Sequence, residues 1–371
     1  MFKILKKSKK TNARLGKLKT SHGEIKTPFF MPIATKAAVK NISAAELSDL
    51  GAQIILANTY HLYLQPGEKI IKSHGGLHNF LNWQGPILTD SGGYQVFSLS
   101  KIRKIKPEGV EFQSHLDGSK HLLTPEKSIQ IQQDLGVDIM MALDVCPSGQ
   151  AEFKEVRRAN EITFDWAKKC KKEWQKSSRN QLLFGIIQGG IFKNLREESL
   201  VQITSLDLPG YAIGGLAVGE PRDKMFDIIE YICPQLPEDK PRYLMGLGRP
   251  EEIVFAVKQG VDMFDCVIPT REARHGRLYQ FCAQKEKGAI NILGNLAYKT
   301  LTATNEKYKD DFEAINRDSG VKLLQEYTKA YLHHLFKINE GLGLRLATLN
   351  NLEFYLKLME KIREGILNHK V

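Results

Sequence analysis

Cysteine is scarce in this chain. There are five in 371 residues, Cys146, Cys170, Cys233, Cys266 and Cys282, and no two form a CxxC pair. An odd, scattered set excludes a disulfide framework and a zinc ribbon, and it fits a reducing cytoplasm as the expected location. Long apolar runs are missing too. Nothing approaches the roughly 18 consecutive apolar residues of a membrane span, so no membrane partner is expected. The opening MFKILKKSKK holds no apolar stretch long enough for a signal peptide. No low-complexity linker interrupts the chain, so a single domain over 1–371 is expected. Acidic residues are in the minority, 42 against 53 Lys and Arg, giving a formal net charge of +11. That surplus favours an anionic partner such as nucleic acid.

What is present is a rhythm. Residues 1–27 alternate apolar and basic side chains around a turn at Ser21-His22-Gly23. They predict small antiparallel strands that lid one end of the fold. After them, short apolar runs recur at 28–33, 53–57, 86–89, 137–143, 182–187, 211–213, 242–247 and 263–268. Segments of helical spacing lie between, at 43–50, 125–135, 153–174, 195–206, 222–232 and 250–259. Continuous apolar strands joined by amphipathic helices imply a parallel sheet. Eight such units predict an α/β fold, a closed (β/α)8 TIM barrel with insertions.

In such a barrel the chemistry sits where strands end. The third run ends in Asp90, followed by Ser91-Gly92-Gly93-Tyr94-Gln95. The fourth ends in Asp144, then Val145-Cys146; the fifth in Gln188-Gly189-Gly190; the sixth in Gly214-Gly215-Leu216. The seventh carries Met245 and Gly246, and the eighth Asp265. Behind Asp265 stands a cationic loop with Thr270, Arg271, Arg274, His275 and Arg277. Three aspartates without a metal-ligand cluster suggest nucleophilic and acid/base work at an acetal-like carbon, the logic of glycoside cleavage. Asp144, Gln188 and the Gly215-Leu216 backbone could read a planar ring with amide-like edges, and Tyr94 and Met245 could sandwich it. Arg271 and Arg274 would hold phosphates beside the attacked ribose.

The same residues carry a family likeness. TDSGGYQVFSLS from Thr89, MALDVC around Asp144, FGIIQGG from Phe184, AIGGLAVGE from Ala212 and DMFDCVIPTREARHG from Asp262 resemble the queuine tRNA-ribosyltransferases, also called tRNA-guanine transglycosylases. The likeness extends from TPFFMPIAT near the start to YLHHL and REGIL near the end. It implies a TIM barrel that exchanges the wobble guanine of tRNA with a GUN anticodon for a 7-deazaguanine base, in queuosine biosynthesis. It implies Asp265 as nucleophile, giving a covalent ribose intermediate, and Asp90 as general base. It implies Asp144, Gln188, Gly215 and Leu216 as base readers and Tyr94 and Met245 as stacking residues. Thr270, Arg271, Arg274 and His275 fall in the tRNA-contacting segment, and Glu220 fits support of the peptide at Leu216. Cys146 and Val218 resemble the branch that inserts preQ1; Val145, where an acidic residue is common, leaves queuine or preQ0 as alternatives. Phe80, Tyr327, Tyr331 and His334 match the pattern of a homodimer.

One departure is large. The family carries a structural zinc late in the chain, on three cysteines and a histidine. Here Ser319, Val321, Leu324 and Asn350 occupy those positions, and none supplies a thiolate or imidazole. No cofactor is therefore expected, and an inserted helical subdomain over 279–350 is expected to hold by apolar packing. A chain that lost its metal could also be a non-catalytic tRNA-binding subunit. Such decay should strike the barrel rim first, and Asp90, Asp144, Gln188 and Asp265 are all present, which favours an active pentosyltransferase.

Overall fold

The computed structural model describes residues 2–99, 103–176, 180–368 and 371. Ser100, which ends the TDSGGYQVFSLS motif, lies outside the described residues. Every predicted run contains a strand of one parallel sheet. The first run is split at Pro32: Phe29–Met31 pairs with Met263–Asp265, while Ile33–Ala34 pairs with Ile55–Ala57. Because those two pieces are consecutive in the chain, the sheet closes on itself. The remaining strands, Ile87–Thr89, Ile139–Met141, Leu182–Ile187, Gly210–Ile213 and Arg242–Leu244, follow in sequence order around the ring.

The strands are short and buried on both faces, which is why they read as unbroken apolar runs. Inside the barrel Phe29, Met31, Leu88, Met141, Phe184, Ile186 and Tyr243 form one cluster. Outside it, the helices pack as their periodicity predicts. Pro125–Leu135 begins on a Thr124 cap with proline in its first turn and ends at Gly136, whose φ of 73° only glycine adopts without cost. Ala44–Asp49 starts with a capping box between Ser43 and Glu46.

The N-terminal strands Phe2–Lys7, Arg14–Thr20 and Gly23–Thr27 form an antiparallel sheet that closes the end of the barrel opposite the strand C-termini. Leu18 and Ile25 enter the interior cluster. Arg14 is buried and clasps Asp262 through two bonds of 3.0 and 2.5 Å, so neither charge is left unpaired. The turn at His22 is fixed by Asp138. That carboxylate also accepts from His78 Nε2 at 3.2 Å and the Ile87 amide at 2.9 Å.

Two features differ from the expectation. A three-stranded antiparallel sheet, Arg103–Lys106, Gly109–Gln113 and Lys120–Leu123, is inserted after the third barrel strand. The late subdomain is not wholly helical. It opens with Arg277–Cys282, Ile290–Leu293 and Leu296–Thr302, antiparallel, before the helices Lys322–Glu326, Lys329–Lys337 and Gly341–Leu367. No helix among the described residues is long and apolar enough to cross a membrane.

Candidate active site

All three rim aspartates emerge at strand C-termini, and each is buried. Asp265 closes its strand Met263–Asp265. Its Oδ1 accepts from the Tyr243 hydroxyl at 2.6 Å and the Gly246 amide at 2.8 Å. Among the described residues Oδ2 has no hydrogen-bond partner. Burial raises the Asp265 carboxyl above the ordinary value, and the two donors pull it partly back. One oxygen is thus held while the other keeps its lone pairs uncommitted among the described residues.

Asp90 is oriented by the loop after the second barrel strand. The Thr59 amide donates to its Oδ1 at 2.9 Å, the Gly92 amide donates to the same oxygen at 3.2 Å, and Asn58 Nδ2 donates to Oδ2. Burial outweighs these bonds and pushes its pKa up to about 6. That places a titratable group near neutrality, as acid/base work demands. Tyr243 lies within electrostatic reach of both carboxylates, and its phenol is held well above the usual range first by burial, then by Asp265 and Asp90.

Asp144 and Gln188 form a hydrogen-bonded polar edge of the rim. Gln188 Nε2 donates to Asp144 Oδ2 at 2.7 Å, and the Ser91 hydroxyl to Oδ1 at 3.2 Å. Burial raises Asp144 to about 6 as well. Gln188 Oε1 is buried with no partner among the described residues, an acceptor available to a ligand. Glycine at 215 is obligatory: φ is 62°, and a Cβ would lie 2.2 Å from Gln188 Oε1. Leu216 is buried beside it. Glu220 holds the next two amides, accepting from Ala217 N at 2.5 Å and Val218 N at 3.0 Å. The first of these amides belongs to the Leu216–Ala217 peptide, the one that the family likeness has Glu220 support.

Cys146 lies against this loop, its thiol pushed up to about 12 by burial and by Asp144. Tyr94, on the short helix Gly93–Leu99, is half-exposed and within electrostatic reach of Cys146. Met245 is partly buried above the interior cluster. Val145 points away, into the core between barrel and helices.

Behind Asp265 the cationic segment is a helix, Ile268–Arg274, and not the loop expected. Pro269 lies in its first turn, where a missing amide proton costs nothing. Arg271 and His275 are exposed, and the Arg271 guanidinium has no hydrogen bond or ion pair among the described residues. Arg274 donates to the Thr270 carbonyl at 3.0 Å. Thr270 is buried, with its hydroxyl 3.4 Å from the Val267 carbonyl.

Sequence reasoning missed three supporting residues. Asn58 follows a barrel run directly, so the strand-end rule could have found it. Tyr243 lies inside an apolar run, where a hydroxyl gives no signal. Arg196 looks like the polar face of a helix, yet it is fully buried. Its guanidinium donates to the carbonyls of Gly190 at 2.8 Å, Ile187 at 3.0 Å, Gly214 at 2.7 Å and Gly215 at 3.1 Å. It ties the loops after the fifth and sixth strands together.

Among the described residues, His22, His78 and Asp138 alone have metal-ligand spacing. They lie at the far end of the barrel, and both Asp138 oxygens already accept two hydrogen bonds.

A rim with one half-free buried carboxylate, a second poised near neutrality and an amide-reading edge fits chemistry at a nucleoside. The family model for queuine tRNA-ribosyltransferase matches residues 8–371. The queuine tRNA-ribosyltransferase of Halothermothrix orenii is 51% identical over 365 residues, covering 98% of this chain and 93% of that protein. Those of Staphylococcus epidermidis and Dictyoglomus turgidum are 52% and 50% identical, covering 98% and 99% of this chain and 92% and 90% of theirs. Likeness of that depth from end to end places the chain in the queuine tRNA-ribosyltransferase family, the pentosyltransferases also known as tRNA-guanine transglycosylases.

Proposed function

We propose that this transglycosylase exchanges the wobble guanine of GUN-anticodon tRNA for preQ1 through a covalent bond between Asp265 and the ribose. The observation that carries the reading is the asymmetry of Asp265: Oδ1 held by Tyr243 and Gly246, Oδ2 without a partner. Oδ2 attacks the anomeric carbon, the C1′–N9 bond breaks, and guanine leaves with a proton from Asp90. The incoming base returns its N9 proton to Asp90 and attacks C1′, and the Asp265–C1′ bond breaks. Asp90, pushed up to about 6, can do both near neutral pH. Asp144 and Gln188 read the base edge, and the unpartnered Gln188 Oε1 accepts one of its N–H groups. Tyr94 and Met245 stack on the ring, and Cys146 lines the pocket on the side that favours preQ1. Arg271, Arg274 and His275 meet the tRNA backbone beside the reacting ribose.

Guanine and preQ1 incorporation into unmodified tRNA tests this. Asp265→Asn should abolish exchange and the denaturant-stable enzyme–tRNA adduct while retaining tRNA binding. Near-wild-type exchange by that variant would refute the assignment. Preferred incorporation of queuine or preQ0 would correct the base alone.

We also propose a cytoplasmic homodimer. Phe80 is 40% and Tyr331 38% exposed, and Tyr331 lies 5.1 Å from the Tyr327 ring, an aromatic surface beside the exposed His334. Sedimentation velocity giving a monomer at micromolar concentration would exclude it.

A further inference from the structure

The residues at the family's zinc positions do not fit a metal. Leu324 is fully buried in an apolar cluster with Leu278, Ile315, Leu332 and Leu346, and Val321 packs against it. Neither side chain carries a donor atom. Asn350 is fully buried with both ends of its amide committed. Its Nδ2 donates to the Tyr279 carbonyl at 2.9 Å and to Asn351 Oδ1 at 3.1 Å, and its Oδ1 accepts from Asn316 Nδ2 at 3.0 Å. Ser319 is buried and its hydroxyl is spent on Glu353. A structural zinc needs thiolate or imidazole ligands, and these four positions supply neither.

We propose that the Glu353 carboxylate takes the place of the metal, cross-linking the 319–321 loop to the C-terminal helix and making the late subdomain independent of zinc. Glu353 stands three residues after Asn350 on the helix Gly341–Leu367, so both face the same side. It is buried. Its Oε2 accepts from the Ser319 hydroxyl at 2.5 Å, and its Oε1 from the Gly320 amide at 2.5 Å. The Lys357 ammonium, one turn on, lies 2.8 Å from Oε1 and balances the charge. Ser319 Oγ in turn accepts from the Val321 amide at 3.0 Å, and Gln325 Nε2 donates to the Ser319 carbonyl at 2.5 Å.

A bound cation would join loop to helix by gathering lone pairs. Here an anion does so by gathering N–H and O–H donors, with the polarity reversed. Charge-assisted bonds of this kind are the strong ones, and a buried carboxylate persists only when paired and hydrogen-bonded. The network reaches the active-site side of the molecule. Asn351 Oδ1 accepts from the Tyr279 amide at 3.0 Å, and its Nδ2 donates to the carbonyls of Pro269 at 3.0 Å and Arg277 at 2.9 Å. The two asparagines thus fasten both ends of the segment that follows Asp265. The inference does not depend on which base is exchanged or on the role of Asp265.

The test uses tag-free full-length protein expressed in zinc-supplemented medium. Elemental analysis should find sub-stoichiometric zinc, and a strong chelator should leave the melting temperature and guanine exchange unchanged. Hydrogen exchange at 318–325 should quicken by about tenfold or more in Glu353→Ala, with the barrel strand Ile139–Met141 unaffected. Should Glu353→Ala fail to fold, Ser319→Ala removes one donor and should quicken exchange at the same residues by less. One tightly held zinc per chain, with a melting temperature that falls on chelation, would overturn the proposal. So would unchanged exchange at 318–325 in the variants.

Discussion

Tyr243→Phe removes one oxygen from the molecule and should move the pH profile of the enzyme. The phenol donates to Asp265 Oδ1 at 2.6 Å in a buried site, and among the described residues the only other donor there is the Gly246 amide at 2.8 Å. A hydrogen bond to a charged group contributes about 1.5–3 kcal/mol. It stabilises the carboxylate far more than the carboxylic acid. At about 1.4 kcal/mol per pKa unit, its loss should raise the Asp265 pKa by roughly 1–2 units. Burial already holds that pKa above its ordinary value, so the shift starts from a raised position. Phenylalanine keeps the ring and its packing. The acid limb of kcat/KM against pH, followed by guanine incorporation, should therefore move up by about 1–2 units, with the alkaline limb set by Asp90 little changed. Stability should follow the same sign. A raised folded-state pKa gives stability that is complete below the unfolded value and is lost as pH rises through the folded one. The variant should therefore lose more melting temperature at pH 7 than at pH 4. A uniform loss of rate at every pH, with the acid limb unmoved, would show that Tyr243 acts through packing and would refute the reasoning.

Arg271→Ala should weaken all substrate tRNAs alike and flatten the salt dependence of binding by roughly 0.7–0.9 in the log–log slope, as loss of one phosphate contact requires; titration of binding at several salt concentrations checks it, and an unchanged slope would count against the contact. Arg196→Met should cost at least about 3 kcal/mol in denaturant unfolding, because the carbonyls of Gly190, Gly214 and Gly215 lose their guanidinium donor and the Ile187 carbonyl keeps only the Gly214 amide. In folded Arg196→Met protein the KM for the free base should rise more than the KM for tRNA, since the Gly190 and Gly215 loops lie on the base side. Equal changes in both would place Arg196 outside base recognition.

The barrel was legible because its signal is local. Each strand is buried on both faces and so is written as a short apolar run. The same logic reads Asp90, Asp144 and Asp265, since a carboxylate at the end of an apolar run has few structural reasons to be there. It fails for groups whose partners lie on other elements. Arg196 is buried because four carbonyls from the ends of the fifth and sixth strands converge on it, and nothing in its helix records them. Tyr243 carries its hydroxyl inside an apolar run, where a tyrosine reads as another large apolar side chain. The late sheet was missed for a related reason. Its strands are half-exposed and pair antiparallel across loops, so polar residues such as Gln280, Asn291 and Lys299 interrupt the apolar pattern.

The contrast is sharpest at 319–353. The loss of thiols is visible in four positions, because absence of a required ligand type needs no structure to see. Apolar side chains at 321 and 324 are visible too, and they pack in the late core; the polar junction beside them is not visible. Glu353 on a helix with Lys357 one turn later reads as an ordinary surface ion pair of the kind worth a few tenths of a kcal/mol. Only burial changes its meaning. Enclosed with Ser319 and Gly320, the same carboxylate becomes the junction of loop and helix. A ligand set is a statement about residue types, whereas a hydrogen-bonded junction is a statement about placement, so the first can be read from sequence and the second cannot. The consequence is specific: in this chain the C-terminal helix holds the 319–321 loop through Glu353 and the segment after Asp265 through Asn350 and Asn351. Chelation should leave both attachments intact, and substitution of any of the three should loosen the one it serves.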